Sequence, residues 1–177
     1  MSAESINILI ALSSWAIVIV TIILVTKQIR TAKKDLQIRT LMAYEEKFDS
    51  ESMLKDRKKL AEQLRDNAVH KEIRENVMNF FESLGMLLKR KAIDKKMVWG
   101  TFSYYCIYWY EISKGHIKDE QALNDNDETL FADFRYLAET MYVLDEKEKA
   151  KKKNKEAKMD LRKQDIDRFR DDEISVI

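Results

Sequence analysis

The sequence predicts an all-α protein: one N-terminal transmembrane helix that continues into a stalk, a small cytoplasmic helical bundle, and a charged C-terminal helical extension. Three observations lead to this prediction. Proline is absent and glycine occurs only three times in 177 residues, which is too few turn-forming residues for a β-sandwich or barrel. Apolar residues recur at the spacing of helices packed in a bundle. One long segment near the N-terminus carries no charged side chain.

The uncharged segment covers residues 6–26 and reads INILIALSSWAIVIVTIILVT. As a helix it would be about 30 Å long, the thickness of the hydrocarbon core of a bilayer. A cleavable signal peptide has basic residues before its apolar run and small residues at a cleavage site. Residues 1–5 contain no basic side chain, and no A-x-A pattern ends the run. We therefore expect a retained transmembrane helix over residues 6–26, preceded by a short external N-terminus, residues 1–5.

The flanking charges predict the orientation of this helix. Its N-terminal side carries Glu4 as the only charged side chain, and its C-terminal side carries four closely spaced basic residues: Lys27, Arg30, Lys33 and Lys34. Because basic residues are retained on the cytoplasmic side, we expect the N-terminus outside and the large C-terminal domain in the cytoplasm. The same four side chains are expected to contact anionic lipid headgroups.

One face of the predicted transmembrane helix carries small and weakly polar residues at helical spacing: Asn7, Ala11, Ser14 and Thr21. Such residues let helices approach closely and hydrogen-bond across an interface. Trp15 lies near mid-bilayer, away from the interfaces that tryptophan prefers. These features favour self-association through this face, with Trp15 packed against a partner helix. Alternatively, the hydroxyl groups bond to their own backbone.

The segments after the membrane helix divide into a basic juxtamembrane stalk helix, residues 27–48, and a helical bundle, residues 49–144. Asp49 or Ser50 is expected to cap a helix that starts near Glu51. The strongest periodicity follows, and predicts a helix with a broad apolar stripe: Ile73, Val77, Phe80, Phe81, Leu84, Leu87 and Leu88. Asp94 is expected to cap the next helix.

The C-terminal part of the bundle is predicted from glycine, polarity and a cap. Gly115 suits the C-terminal cap of the helix that follows Asp94, and residues 116–126 are polar enough to form a loop. Asp127 is then expected to open a helix that ends near Leu144. Residues 145–177 alternate lysines with acids, which indicates a solvated charged extension supported by pairs four residues apart.

Catalytic, metal and cofactor motifs are not recognisable in the sequence. His70 and His116 are the only histidines and have no ligand spacing, and no phosphate-binding or nucleophile motif occurs. Cys106 lies in an aromatic run and is expected to be a buried structural thiol. Glu82 is the one acid inside an apolar run; it is either a boundary residue paired with a lysine or arginine, or a buried functional acid. We expect no catalytic residue, metal or cofactor.

A basic joint between two predicted helices is the candidate ligand site. It consists of Lys89, Arg90, Lys91, Lys95 and Lys96, with Trp99 beside them. Together with Tyr104 and Tyr108, these residues have the charge and the stacking surfaces to receive a phosphate-bearing ligand. The alternative is that the aromatic residues belong to the core and the basic residues favour the end of a helix dipole.

The segment from Asn79 to Ile112 resembles a family of small bacterial proteins that is defined only as a domain of unknown function. The resemblance rests on N-F-F-E-x-L-G at residues 79–85, on Ile93 with Asp94 opening the next helix, and on Trp109. Ala92 stands where that pattern often has glycine. Many members have one N-terminal transmembrane helix, so the resemblance implies the same architecture, in the inner membrane of a bacterium. It implies no activity.

Two functional hypotheses follow. The first is a membrane-anchored cytoplasmic interaction or regulatory protein without catalytic activity, which associates with itself and docks a cytoplasmic protein. The second is a membrane effector of bacterial defence or stress signalling, gated by a nucleotide or other anion at the basic joint. With a net charge of only +1, general binding of nucleic acid is not expected. The expected partners are lipid, further copies of the chain and a cytoplasmic protein.

Overall fold

The computed structural model describes the backbone of residues 3–66, 71–153 and 163–175, and the side chains of residue 15 and of residues 17–66, 75–150 and 163–175. Within these residues every regular element is an α-helix, which confirms the all-α prediction. The helices are α1 (Ala3–Phe48), α2 (Glu51–Arg65), α3 (Lys71–Lys89), α4 (Lys95–Leu123), α5 (Ala132–Lys153) and α6 (Lys163–Ser175).

The chain divides into two compact units, Met1–Arg39 and Thr40–Ile177. The first unit is the N-terminal part of α1. In the part of the chain that the structure describes, no helix has the length and apolar character needed to cross a bilayer. The side chains of residues 1–14 and of residue 16 lie outside that description. The transmembrane helix over residues 6–26 therefore stays a prediction from the sequence.

The second unit has an aromatic core. Helix α3 packs against α5, α5 packs against α4, and α2 packs against α3 and α6. Phe48, the last residue of α1, lies at the centre, with its ring 5.3 Å from that of Phe80 and 5.5 Å from that of Phe102. Such pairs stabilise a core beyond the area they bury. The largest fully buried side chains are Trp109, Phe48, Phe80, Phe81, Phe102, Phe134, Phe169, Leu60, Met78, Leu84, Leu137 and Met141.

Two predicted helix caps are present. The Ser50 hydroxyl accepts a hydrogen bond from the Met53 N–H at 3.3 Å, so Ser50 rather than Asp49 is the N-cap of α2. The Asp94 carboxylate accepts from the Lys96 N–H at 2.8 Å and from the Met97 N–H at 3.2 Å. These bonds satisfy donors that a helix N-terminus otherwise leaves without partners.

The predicted end of α4 at Gly115 and the loop over residues 116–126 are wrong. The helix continues to Leu123, with Asn124 as its C-cap. Gly115 is an exposed helical residue, and a Cβ there would meet nothing within 4 Å. Ser113 and Ile117 are both buried, so the buried face of α4 extends beyond the glycine. Burial of Ile117 outweighs the preference of glycine for a helix end.

The predicted opening of α5 at Asp127 is also wrong, by five residues, because α5 begins at Ala132. Asp127 instead begins a turn, in which its carboxylate accepts from the backbone and hydroxyl of Thr129.

The interpretation of residues 145–177 as a solvated extension fails at residues 163–175. These form α6, which packs against α2 and α4. Phe169 is 1% exposed, and its ring makes edge contacts with those of Tyr104 and Trp109. Acids and bases alternate along α6, so its short apolar stripe is easily overlooked. The end of the predicted stalk also belongs to the bundle, because Leu41 and Phe48 are buried in the core.

Candidate functional site

The basic joint predicted from the sequence is the connection between α3 and α4. Arg90, Lys91, Lys95 and Lys96 are exposed there, and they have no ion-pair partner among the described residues. Lys91 adopts a left-handed conformation, with φ of 57°. The Lys91 and Ala92 N–H groups bond to the carbonyls of Leu88 and Leu87, as in a Schellman motif. The left-handed residue is therefore Lys91, one position before Ala92.

Other members of the predicted ligand site are engaged elsewhere. Lys89 forms an ion pair with Asp133 of α5 at 2.6 Å. The rings of Tyr104 and Tyr108 pack against Phe169 of α6, at 5.4 and 5.2 Å. Trp99 is half-buried, and its indole nitrogen is buried without a hydrogen-bond partner in the described structure. The four exposed cations therefore lie together in the α3–α4 connection, whereas both tyrosines pack against α6.

Glu82 joins α3 to the first turn of α5. Its carboxylate accepts from the Phe134 N–H at 2.6 Å and from the Asp133 N–H at 3.2 Å. A carboxylate is well placed at a helix N-terminus, where N–H groups are unpaired and the dipole is positive. Burial raises the pKa of Glu82, and these two hydrogen bonds oppose the rise. Of the two alternatives from the sequence, the boundary residue is thus nearer to the observed structure, but its hydrogen-bond partners are backbone N–H groups rather than a lysine or arginine.

Gly85 lies at the same contact, one turn after Glu82. A Cβ on Gly85 would lie 2.0 Å from the backbone oxygen of Asp133. This distance is too short for any side chain, so only glycine fits at this position. Phe81 and Phe134 stack beside it, with ring centroids 4.9 Å apart. The N-F-F-E-x-L-G segment is therefore the surface of α3 that receives α5.

An open groove of about 680 Å³ lies between α4 and α5. Sequence reasoning did not find it, because its residues come from two helices and the sequence does not show how these helices pack against each other. Its lining combines cations, tyrosines and an exposed aliphatic side chain: Lys114, Lys118, Arg135, Tyr110, Tyr142 and Val143. A smaller cavity continues the groove toward Gln121 and Phe131. We call these surfaces together the α4–α5 groove.

The charges of the α4–α5 groove are only partly compensated. Glu111 and Glu139 also line it, and the Glu111 carboxylate lies 3.6 Å from the Lys114 ammonium. Lys118 and Arg135 have no ion-pair partner among the described residues. Burial raises the pKa of Tyr110, and the positive charge of Arg135 opposes this rise. The groove therefore offers two uncompensated cations above a tyrosine and aliphatic surface.

Comparison with known proteins places the chain in a family. The family model described as "Domain of unknown function (DUF4760)" matches residues 6–141. The chain belongs to the DUF4760 family. The match contains Glu82, Gly85 and the α4–α5 groove up to Met141, and it ends before α6. No curated protein and no solved structure matches the chain.

Outside the DUF4760 match, α6 is attached through an ion pair that sequence reasoning missed. The Arg57 Nε lies 2.9 Å from the Glu173 Oε2, and both side chains are at most 5% exposed. Arg57 also donates to the carbonyl of Phe48 at 3.2 Å, and its guanidinium lies 4.0 Å above the Phe48 ring. Burial raises the pKa of Glu173, and Arg57 opposes this rise.

The structure describes only some of the side chains that were predicted to form the self-association face of the membrane helix or to contact lipid headgroups. The side chains of Asn7, Ala11 and Ser14 lie outside the described residues. Trp15 is 68% exposed, and the Thr21 hydroxyl donates to the Ile17 carbonyl at 2.8 Å, which is the backbone alternative for this residue. The four expected headgroup contacts are exposed and without ion-pair partners in the described structure: Lys27, Arg30, Lys33 and Lys34.

The thiol and imidazole side chains that the structure describes are those of Cys106 and His116. Cys106 is fully buried, and burial raises the pKa of its thiol. His116 lies 3.8 Å from Glu120, and His70 is outside the described residues. Among those residues, no group of three or more His, Cys, Asp and Glu side chains has the geometry to hold a metal ion.

Proposed function

We propose that this DUF4760 protein is a membrane-anchored interaction module: residues 6–26 span the membrane, and the helical bundle docks protein partners in the cytoplasm without catalysing a reaction. One observation carries the proposal. All large apolar side chains described between residues 15 and 25 are 45–68% exposed, namely Trp15, Ile17, Val18, Ile19, Val20, Ile22, Ile23, Leu24 and Val25.

These nine exposed side chains surround the helix, because they are spread over residues 15–25, a length of about three full helical turns. A soluble helix normally exposes a polar face. Transfer of each such side chain from water into an apolar phase is favourable by about 1.5–3 kcal/mol. A lipid environment on all sides satisfies this surface, and the basic residues that follow it suit the headgroup region.

Alkaline carbonate extraction of membranes from expressing bacteria tests the anchor. We expect the full chain to stay in the membrane pellet. I19D places a charge within the apolar run, which should cost about 2.5–3.5 kcal/mol of insertion free energy and release protein into the supernatant. L36D is the matched control, because Leu36 is also exposed on α1, at 65% against 54% for Ile19, but lies beyond residue 26. Release of the wild-type chain would contradict the proposal.

Cysteine labelling tests the orientation, since the native Cys106 is buried and unreactive. A membrane-impermeant maleimide should label S5C in spheroplasts of expressing bacteria. K59C, on the exposed face of α2, should be labelled only after lysis. The opposite pattern would place the bundle outside and remove the expectation of a cytoplasmic partner.

A membrane effector gated by an anion is the second candidate. It is favoured by the four exposed cations of the α3–α4 connection, which have no ion-pair partner in the described residues: Arg90, Lys91, Lys95 and Lys96. Equilibrium dialysis with radiolabelled ATP tests it. R90E/K91E should abolish binding, whereas K55E/K59E, a matched reversal on α2, should not. Absence of ATP binding to the wild-type chain would count against a nucleotide ligand.

A further inference from the structure

We infer that the α4–α5 groove binds the acidic tip of a second copy of this chain, so that two copies associate reciprocally through their bundles. The acidic tip is residues 119–128, the end of α4 and the start of the following turn. This inference rests on the proposed function, because it names a partner for the interaction module.

The acidic tip combines negative charge with an exposed apolar side chain, and both can contact a partner. It contains five acids and no basic residue: Asp119, Glu120, Asp125, Asp127 and Glu128. Within it, Leu123 is 80% exposed, the highest value among the large apolar side chains described. Single exposed leucines are common, but this one stands among carboxylates. Three of these, Asp119, Asp125 and Glu128, have no ion-pair partner in the described residues.

The α4–α5 groove is complementary to this tip. Lys118 and Arg135 provide uncompensated positive charge at the groove, and Tyr110 and Val143 provide apolar surface. Its volume of about 680 Å³ lies within the range of pockets that bind small molecules, about 300–1,000 Å³, so the Leu123 side chain of a partner fits within it. Glu111 and Glu139 reduce the net positive charge of the lining. Favourable contact therefore requires the tip carboxylates to lie nearer to Lys118 and Arg135 than to these two glutamates.

The position of both surfaces on α4 allows reciprocal docking. The groove uses α4 from Ile107 to Lys118, and the tip begins at the next residue. A twofold axis relating two copies would place the tip of each copy against the groove of the other, so that both contacts form together. Such an arrangement is an isologous interface that closes as a dimer.

Disulfide crosslinking between two coexpressed full-length copies tests the contact. One copy carries L123C, and the other carries V143C and a larger tag, so that the mixed product has its own size. Under mild oxidation in detergent, we expect a mixed dimer between these copies. The matched control replaces V143C with K59C, an exposed position on α2. A mixed dimer no more abundant than in this control would overturn the proposal.

Charge reversal decides whether the tip is the occupant. K118E/R135E in the groove copy, or D125K/E128K in the tip copy, should each reduce the mixed dimer about tenfold because like charges then face each other. Both reversals together, one in each copy, should restore it. Loss with the groove reversal alone would show a different occupant and overturn the proposal, as would a crosslink indifferent to both reversals.

Circular dichroism of each variant confirms that these surface changes leave the helices folded, and restoration in the doubly reversed pair requires folded copies. The result is independent of membrane insertion. A chain released by carbonate can still give the charge-dependent crosslink, and a membrane-retained chain can still lack it.

Discussion

Helices α5 and α6 are each attached to the bundle through a glutamate, the partly buried Glu82 for α5 and the buried Glu173 for α6, and the two attachments differ in chemistry. Glu82 of α3 accepts hydrogen bonds from backbone N–H groups of α5. Glu173 of α6 instead pairs with the Arg57 side chain of α2. The first contact lies within the DUF4760 match, whereas α6 lies beyond its end at residue 141.

The two contacts differ in the groups that stabilise the glutamate carboxylate. At the N-terminus of α5, the donors are fixed by the helix and cost no side-chain ordering. At α6, two charged side chains must leave water, and such pairs often return no more than they cost. The raised pKa of Glu173, even beside Arg57, agrees with this reasoning. We therefore expect the ion pair to orient α6 and the burial of Phe169 to hold it.

Removal of Arg57 should have the largest effect on this comparison. In R57A, Glu173 remains in an apolar site without its cation, and loss of one partner of a buried pair costs about 3–5 kcal/mol. Urea unfolding of the full chain in detergent, followed by tryptophan fluorescence, measures the change. Trp109 reports on the α6 contact because its ring lies 5.8 Å from that of Phe169.

The double variant R57M/E173L separates orientation from stability. With both charges replaced by apolar side chains, we expect a free energy of unfolding close to that of the wild type. If the double variant is as unstable as R57A, the hydrogen bond from Arg57 to the Phe48 carbonyl, rather than the ion pair, is the interaction that matters.

A methyl group at Gly85 should break the α5 attachment. In G85A the new Cβ meets the backbone of Asp133 at 2.0 Å, so α5 must move away from α3. Overpacking of this kind costs up to about 3 kcal/mol. G115A is the matched control, because a Cβ there meets nothing and alanine should stabilise the helix by about 0.5–1 kcal/mol. Equal urea midpoints for both variants would show that the α3–α5 contact is not close in solution.

The elements that follow from the sequence are those with local signals. The α3 stripe is periodic within one segment, and Ser50 and Asp94 act on N–H groups two or three residues away. Non-local contacts are not readable in this way. Arg57 and Glu173 are 116 residues apart, and each resembles an ordinary charged residue of a solvated helix. Glu82 was recognised from its apolar neighbours, but its backbone partner depends on where α5 begins.

Truncation of Glu82 should have a smaller effect than either change above. E82A leaves the Asp133 and Phe134 N–H groups without their acceptor, and loss of a helix N-terminal acceptor costs about 1–2 kcal/mol. E82Q retains one acceptor oxygen and should cost less. E46A, at an exposed position of α1, should lie within about 0.5 kcal/mol of the wild type. If E82A matches E46A, water replaces the carboxylate without loss.

The smallest effect expected is the contribution of Glu173 to the pH dependence of the free energy of unfolding. Its pKa is raised in the folded protein, so the folded state binds a proton more tightly than the unfolded state. A raised pKa makes its contribution to stability greatest below the unfolded pKa, and the contribution falls as pH rises through the folded pKa. The difference in unfolding free energy between wild type and E173Q isolates this contribution, because other carboxylates cancel. That difference should shift in favour of the wild type as pH decreases from 7 toward 5. The opposite shift would mean that Arg57 outweighs burial, and α6 would then be held by its ion pair as well as by Phe169.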